Sequence, residues 1–240
     1  MPQSTAFAPG SSEPEGQRVA QTSAATRLVL RPLATPLPLG FLGLFVATVS
    51  LAGLELGWVP TTQGHILAIG VLVLTVPVQL IACVYGFLVR DLVAGTGMGI
   101  LAGSWGLIAL TTLLSPPGGH SAGLAYFIVI GGAALCVPAA AAGQSKLLAA
   151  SVNLLTALRW WVTAVYEFGA PHVWETVAGA VGIALGALAA YAALAFELED
   201  QRRSTILPVF RRGAGLEAIS GDLYTQVDKA ANEAGVRKQL

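Results

Sequence analysis

AGLAYFIVIGGAALCVPAAAA, residues 122–142, runs for 21 positions without one charged side chain. A helix needs about 20 mainly apolar residues, at about 1.5 Å each, to cross about 30 Å of hydrocarbon. The stretch meets that length, and five others like it flank it: 39–59, 65–89 and 92–114 before it, 146–168 and 173–196 after it. Turn-forming clusters separate them, among them Pro60-Thr61-Thr62, Arg90-Asp91, Ser115-Pro116-Pro117-Gly118-Gly119 and Gly169-Ala170-Pro171. The fold class expected is therefore an all-α integral membrane protein with six transmembrane helices. Polar tails at 1–35 and 197–240 flank a membrane domain at 36–196.

Composition agrees. The chain is 55% hydrophobic and 11% charged, with mean hydropathy +0.70, whereas a soluble domain carries about 25% charged residues. Its zero net charge hides a segregation: of 13 basic and 13 acidic residues, 14 lie after Phe196 and five before Thr35.

Lys and Arg set the orientation. Three lie in the N-terminal tail, seven in the C-terminal tail, and Arg90 and Lys146 follow the second and fourth spans. Both termini are expected in the cytoplasm. The N-terminal tail, rich in Ser, Ala, Gln and Pro, reads as disordered. In the C-terminal tail Leu216, Ile219, Leu223 and Val227 recur at helical spacing, which fits either a surface helix or a solvated tail. Ten Arg against three Lys hints at a GC-rich prokaryotic source, hence a cytoplasmic (cell) membrane.

Helices in lipid associate through close packing of small residues. Gly95, Gly99, Gly103 and Gly106 share a face of the third span, and Gly179, Gly182 and Gly186 a face of the sixth. Such faces serve contacts within a protomer or between protomers, and they are rich enough here to suggest both.

Polar groups at membrane depth are costly, so each is a functional candidate. They are Gln79, Ser104, Asn153, Thr156 and Arg159. On the fifth span Asn153, Thr156, Arg159 and Thr163 fall within about 120° of one another, a polar stripe on one helix face. Arg159 can line a path or snorkel to the outer interface beside Trp160 and Trp161. Gln79 and Asn153 can equally serve as hydrogen-bonding glue between helices. Glu55 and Glu167 lie near the outer ends of their spans, within reach of water.

Several classes fall away. Cys83 and Cys136 sit singly in apolar segments, with neither a disulfide framework nor metal-ligand spacing. There is no phosphate-binding loop and no carboxylate relay at mid-membrane. An intramembrane serine protease needs a Ser with a His base within reach. Here Ser104 lacks the usual following Gly, and His65, His120 and His172 all lie at outer loops. No enzyme, cofactor, metal or nucleic-acid partner is expected.

Four stretches carry a resemblance. Pro36-Leu37-Pro38-Leu39-Gly40, before the first span, resembles the Asn-Pro-x-Pro-Leu-Gly signature of the acetate/succinate uptake transporter family (the YaaH or SatP kind). Gln79 falls where that family has a Gln. Gly95-Thr96-Gly97-Met98-Gly99 stands for Gly-Asn-Thr-Phe-Gly, followed by Ser104-Trp105-Gly106 for Ser-Tyr-Gly. The sixth span, from Gly179, Gly182 and Gly186 through Tyr191 to Thr205-Ile206-Leu207-Pro208, matches the family's glycines, Tyr and terminal Thr-Val-Leu-Pro. Thr35 replaces the leading Asn, and about five residues are inserted between the second and third spans.

The resemblance implies a six-helix protomer with its own path, assembled as a homo-hexamer in the bilayer and passing acetate, small monocarboxylates and in some members succinate. It also implies an apolar constriction of Phe, Tyr and Leu. By position these fall on Leu44 (with Phe45 adjacent), Trp105 and Leu155, an altered ring. A non-transporting membrane sensor or scaffold is the alternative.

Overall fold

The structure, a computed structural model, describes residues 33–216 apart from positions 203 and 214. Six helices in it are long and apolar enough to cross a membrane: α1 Leu37–Glu55, α2 Thr61–Leu88, α3 Leu92–Leu114, α4 Ala122–Ala142, α5 Leu147–Glu167 and α6 Val173–Arg202. Only a helix or a closed barrel satisfies every backbone group in hydrocarbon, so apolar runs of this length have no other regular solution there.

Local chemistry sets the ends. Pro38 sits in the first turn of α1, where a missing N–H costs nothing. The α1 helix stops at Glu55, earlier than hydropathy alone indicates, because Gly57 follows in the left-handed region at φ 70°. Asp91 caps α3 by accepting from the Ala94 N–H at 3.1 Å, and Ser121 caps α4 through the Leu124 N–H at 3.2 Å. Inside α2, Val71–Thr75 forms a π-turn just before Pro77. Proline cannot donate and its ring collides with the carbonyl four residues back, so the wider turn relieves the clash.

Each helix packs against its chain neighbours, and α6 closes against α1. The six therefore form a ring around a shared interior. The ring is apolar on its outer face as well as in most of its core, with a few polar side chains buried inside. Val73 (71% exposed), Leu114 (81%) and Val137 (73%) face outward, while Thr48, Thr75, Gln79, Ser104, Asn153, Thr156 and Arg159 are buried.

Beyond Phe196 the chain does not become a free tail at once. The α6 helix continues to Arg202, and residues 204–212 then return along the α4–α5 turn. The Leu147 and Leu148 N–H groups donate to Phe210 and Val209, and the Arg212 N–H donates to Ser145 at 2.9 Å. Val209 is fully buried, the Tyr191 hydroxyl donates to Pro208, and Arg211 pairs with Glu199. Leu216, exposed, begins the apolar series noted in the tail; Ile219, Leu223 and Val227 lie outside the described residues, as do 1–32.

The glycines do their work largely within the ring. A Cβ at Gly95 would meet Phe87, at Gly99 Cys83, and at Gly86 the Gly95 backbone nitrogen at 2.5 Å. Gly179, Gly182 and Gly186 face Leu56, Arg159 and Val49. Of the two expected faces, the position left open for contacts between protomers is Gly103, where a Cβ would meet nothing within 4 Å among the described residues.

Candidate functional site

At the end of the ring where α1, α3 and α5 finish, a cavity of about 330 Å³ descends among all six helices. This is the end opposite residues 34–36 and 204–213, and we call it distal. Exposed Thr61, Pro117 and Gly118 lie at the mouth; Leu51, Ile108 and Ile128 line the walls; Trp105, Arg159 and Trp160 lie deepest along their helices.

The placement of Arg159 resolves the two readings of it. Its side chain is 2% exposed and does not snorkel. One guanidinium nitrogen donates to the Thr48 carbonyl at 2.8 Å and the other to a Glu55 carboxylate oxygen at 3.0 Å. The room for it comes from α6, where a Cβ at Gly182 would lie 2.8 Å from the guanidinium carbon. That carbon also sits 5.8 Å from the centre of the Trp105 ring, within cation–π range. Glu55, the last residue of α1, is 15% exposed and lines the cavity while pairing with this buried charge. An unpaired charge in such a place costs several kcal/mol or more.

Trp105 and Trp160 meet edge to face, with ring centres 6.3 Å apart and both 1% exposed. Neither indole N–H has an acceptor among the described residues, and neither does the Thr163 hydroxyl have a partner. Three of the four buried side-chain atoms in that condition thus belong to residues lining this one cavity. The fourth is the carbonyl oxygen of Gln79.

The other candidates lie at the depth of the deepest lining residues or toward the proximal end. Ser104 borders Gly131 and Trp160, and Asn153 borders Gly97; neither makes a hydrogen bond among the described residues. Thr156 is fully buried and donates to the Val152 carbonyl of its own helix at 2.8 Å, so its proton is spent and its oxygen is what remains. Gln79 makes the bond between helices that the glue reading describes. Its NH₂ donates to the Gly40 carbonyl at 3.4 Å, leaving an acceptor free. Gly40 and Thr48 are separated by about 12 Å along α1 at 1.5 Å per residue, which sets the approximate span of the polar line between Gln79 and Arg159.

Of the constriction residues, Leu44 and Trp105 are buried in the ring, and Leu155 is partly buried against the core. Phe45 lies in the α1–α6 seam, 3.7 Å from where a Gly186 Cβ would be. Among the motif residues, Pro36, Pro38 and Gly40 are buried, Gly40 beneath Met98. Leu39 and Thr96 face outward, and Gly99 abuts Cys83.

Sequence reasoning missed Trp160 and Glu55. Trp160 follows Asn153 by seven residues, hence on the same helix face, and that spacing was the available signal. Glu55 had none, since its partner is 104 residues away. The Asp91–Lys146 ion pair, which ties the α3 cap to the start of α5, was equally silent.

No family model and no curated protein matches the chain by sequence. Among solved structures, that of the bacterial acetate channel SatP superposes with a TM-score of 0.66 at 18% identity, covering 74% of this chain and 99% of that one. The chain therefore has the SatP fold.

Proposed function

We propose that this multi-pass membrane protein is a member of the acetate/succinate uptake transporter family. On this reading it carries acetate and similar small monocarboxylates, with succinate a further candidate, across the cell membrane by a channel-like or proton-linked mechanism. The observation that carries the reading is the closed ring of six helices whose interior holds a cavity reaching down to Arg159, with Ser104 and Asn153 uncommitted beyond it. A carboxylate leaving water needs such donors, because an ion in hydrocarbon without them is prohibitively costly. The SatP fold and the four motif stretches point to the same substrate class.

Charge at the cavity favours a monoanion. Glu55, Glu167 and Glu175 line it against a single Arg. Repulsion grows with each charge on the entering ion, so citrate is penalised far more than acetate. The same acidic lining makes entry easier when protons neutralise it. Below the cavity, Ser104, Asn153 and Gln79 continue the path, and Leu44, Trp105 and Leu155 narrow it. The bilayer orientation follows from the basic tails: both termini in the cytoplasm and the cavity opening outward.

Proteoliposomes containing the purified protein are expected to take up acetate faster than citrate, and faster still when the outside is acidified. Equal rates for the two acids, or no uptake of either, would sink the proposal. The latter is what a sensor or scaffold would give.

A further inference from the structure

We infer that residues 204–213 form a releasable strap that closes the proximal end of the ring, with Val209 as its plug and the Glu199–Arg211 ion pair as its catch. The gating half of this inference rests on the reading that the protein is a transporter.

The proximal end is filled by apolar side chains. Leu37 and Phe41 of α1, Leu148 of α5 and Phe196 of α6 are buried near that end of their helices, with the Phe41 and Phe196 rings 6.0 Å apart. Val209 is fully buried in the same cluster and is its one member outside the spanning helices. A solute that enters the distal cavity must leave through this end. Each helix is held by neighbours on both sides, so the strap is the part able to withdraw.

What holds the strap is polar and local. Lys146, at the start of α5, provides no side-chain cap. The first two amides of that helix donate instead to the Phe210 and Val209 carbonyls at 3.4 Å each, long for such bonds. Arg211 is the hub. It grips both carboxylate oxygens of Glu199, donates to the Gly215 carbonyl at 3.2 Å and lies 6.0 Å from the centre of the Phe196 ring. Thr205 donates to the same carboxylate at 2.8 Å. Glu199 is 4% exposed and Arg211 13%. Lys146 lies near enough to act on Glu199 and pairs in turn with Asp91, so charges of alternating sign run from the α3 cap to the strap.

Such a joint is suited to opening. Two desolvated charges hold only while both partners stay in place, and apolar side chains would fasten a permanent joint at lower cost. Phe210 sits at φ 51°, in the left-handed region that a bulky residue avoids, and its ring is 61% exposed. The closed strap therefore carries backbone strain that release relieves. Segments with few buried apolar contacts open locally while the rest stays folded. Release withdraws Val209 and uncaps α5, the helix that carries Asn153, Thr156 and Arg159.

Hydrogen exchange in proteoliposomes tests release, and a cross-link tests gating. The amides of Leu147, Leu148 and Arg212 are expected to exchange together, well ahead of those at the centres of α5 and α6. Protection equal to the mid-helix amides would overturn the strap. For the cross-link, Ser145 and Arg212 flank the antiparallel Lys146–Arg211 bridge, and opposed residues of such a pair lie about 5.5 Å apart, within disulfide reach. Ser145→Cys with Arg212→Cys, in a background of Cys83→Ala and Cys136→Ala, is oxidised and assayed for acetate uptake. Oxidation should lower the initial rate about tenfold or more, as for a blocked conformational step, and a reductant should restore it. Fully cross-linked protein that carries acetate at the unoxidised rate refutes the gate.

Arg211→Gln loosens the catch, so the maximal rate per assembled protein should rise several-fold at unchanged KM. A merely structural pair would lower the yield of assembled protein and leave the rate per molecule as it was, which refutes the catch. Should Arg211→Gln fail to assemble, Val209→Ala, which keeps the pair and shrinks the plug, must give the same rise for the proposal to stand. If the wild-type protein moves no acetate, the transport reading fails, and the releasable strap stands or falls by the exchange alone.

Discussion

At the scale of single residues, the interior of this ring is defined by which polar atoms are already engaged. Thr156 has given its proton to Val152 and Gln79 has given one N–H to Gly40; Ser104 and Asn153 remain uncommitted among the described residues. A passing carboxylate can therefore draw donors from the Asn153 amide and the Ser104 hydroxyl, whereas the Gln79 carbonyl can accept only from a protonated acid. Asn153→Leu should impair acetate flux strongly while the protein still inserts, and Gln79→Leu should do so chiefly under acidic conditions. Trp105→Ala should widen the path and admit larger acids or leak. The check is initial uptake rate against pH in proteoliposomes; flux within about twofold of wild type for both amide replacements, about 0.4 kcal/mol in barrier terms, would mean that these residues only bind helices together.

Helix pairs are decided by glycines that permit contact at backbone distance. The α2–α3 hairpin is closest at Gly86, where a Cβ would lie 2.5 Å from the Gly95 nitrogen and 2.8 Å from its α-carbon. Backbone cannot yield as a flexible side-chain tip can, so Gly86→Ala must part the two helices. Overpacking of this kind costs about 1–3 kcal/mol, and thermal unfolding in detergent should show it. Gly103→Ala, on the same helix face by sequence but open in space, should leave the unfolding temperature unchanged. Similar losses for both variants would mean that Gly103 is packed against something other than this chain. At the proximal end the returning segment 204–212 works in the same register: it supplies Val209 to the core and covers the α4–α5 turn, whose residues 143–145 are barely polar in sequence.

On the scale of the whole molecule, α2 is the helix least covered by the rest of the ring, with 28% of its span window buried against 44–56% for the others. Its exposed Val73, Leu74, Leu80, Ile81 and Val84 form an apolar face that either lipid or a neighbouring protomer can cover. The family resemblance favours the neighbour and a hexamer. Native mass spectrometry in mild detergent should then show a closed oligomer, six being the expected number. A stable monomer that still carries acetate would count against it. Because each ring encloses its own cavity, dissociation should lower the stability of the protomer more than its selectivity for acetate over citrate.

The sequence by itself determined the class, the number of spans and their approximate limits, because hydropathy is a sum over neighbours in the chain and lipid demands uninterrupted runs. It also marked Asn153, Thr156 and Arg159 as sharing a helix face, since a 3.6-residue period is local information. It could not say what Arg159 touches. A lone Arg thirteen residues into a span is equally compatible with snorkelling, and only the closure of α6 on α1 brought Glu55, Thr48 and Gly182 around it. The unpartnered indole N–H groups are of the same kind: tryptophan at a span's outer third reads as an interfacial anchor until ring closure buries it. Hydropathy and periodicity sum over adjacent residues, whereas a site depends on residues 50 to 130 positions apart, and that is settled by which helix packs on which.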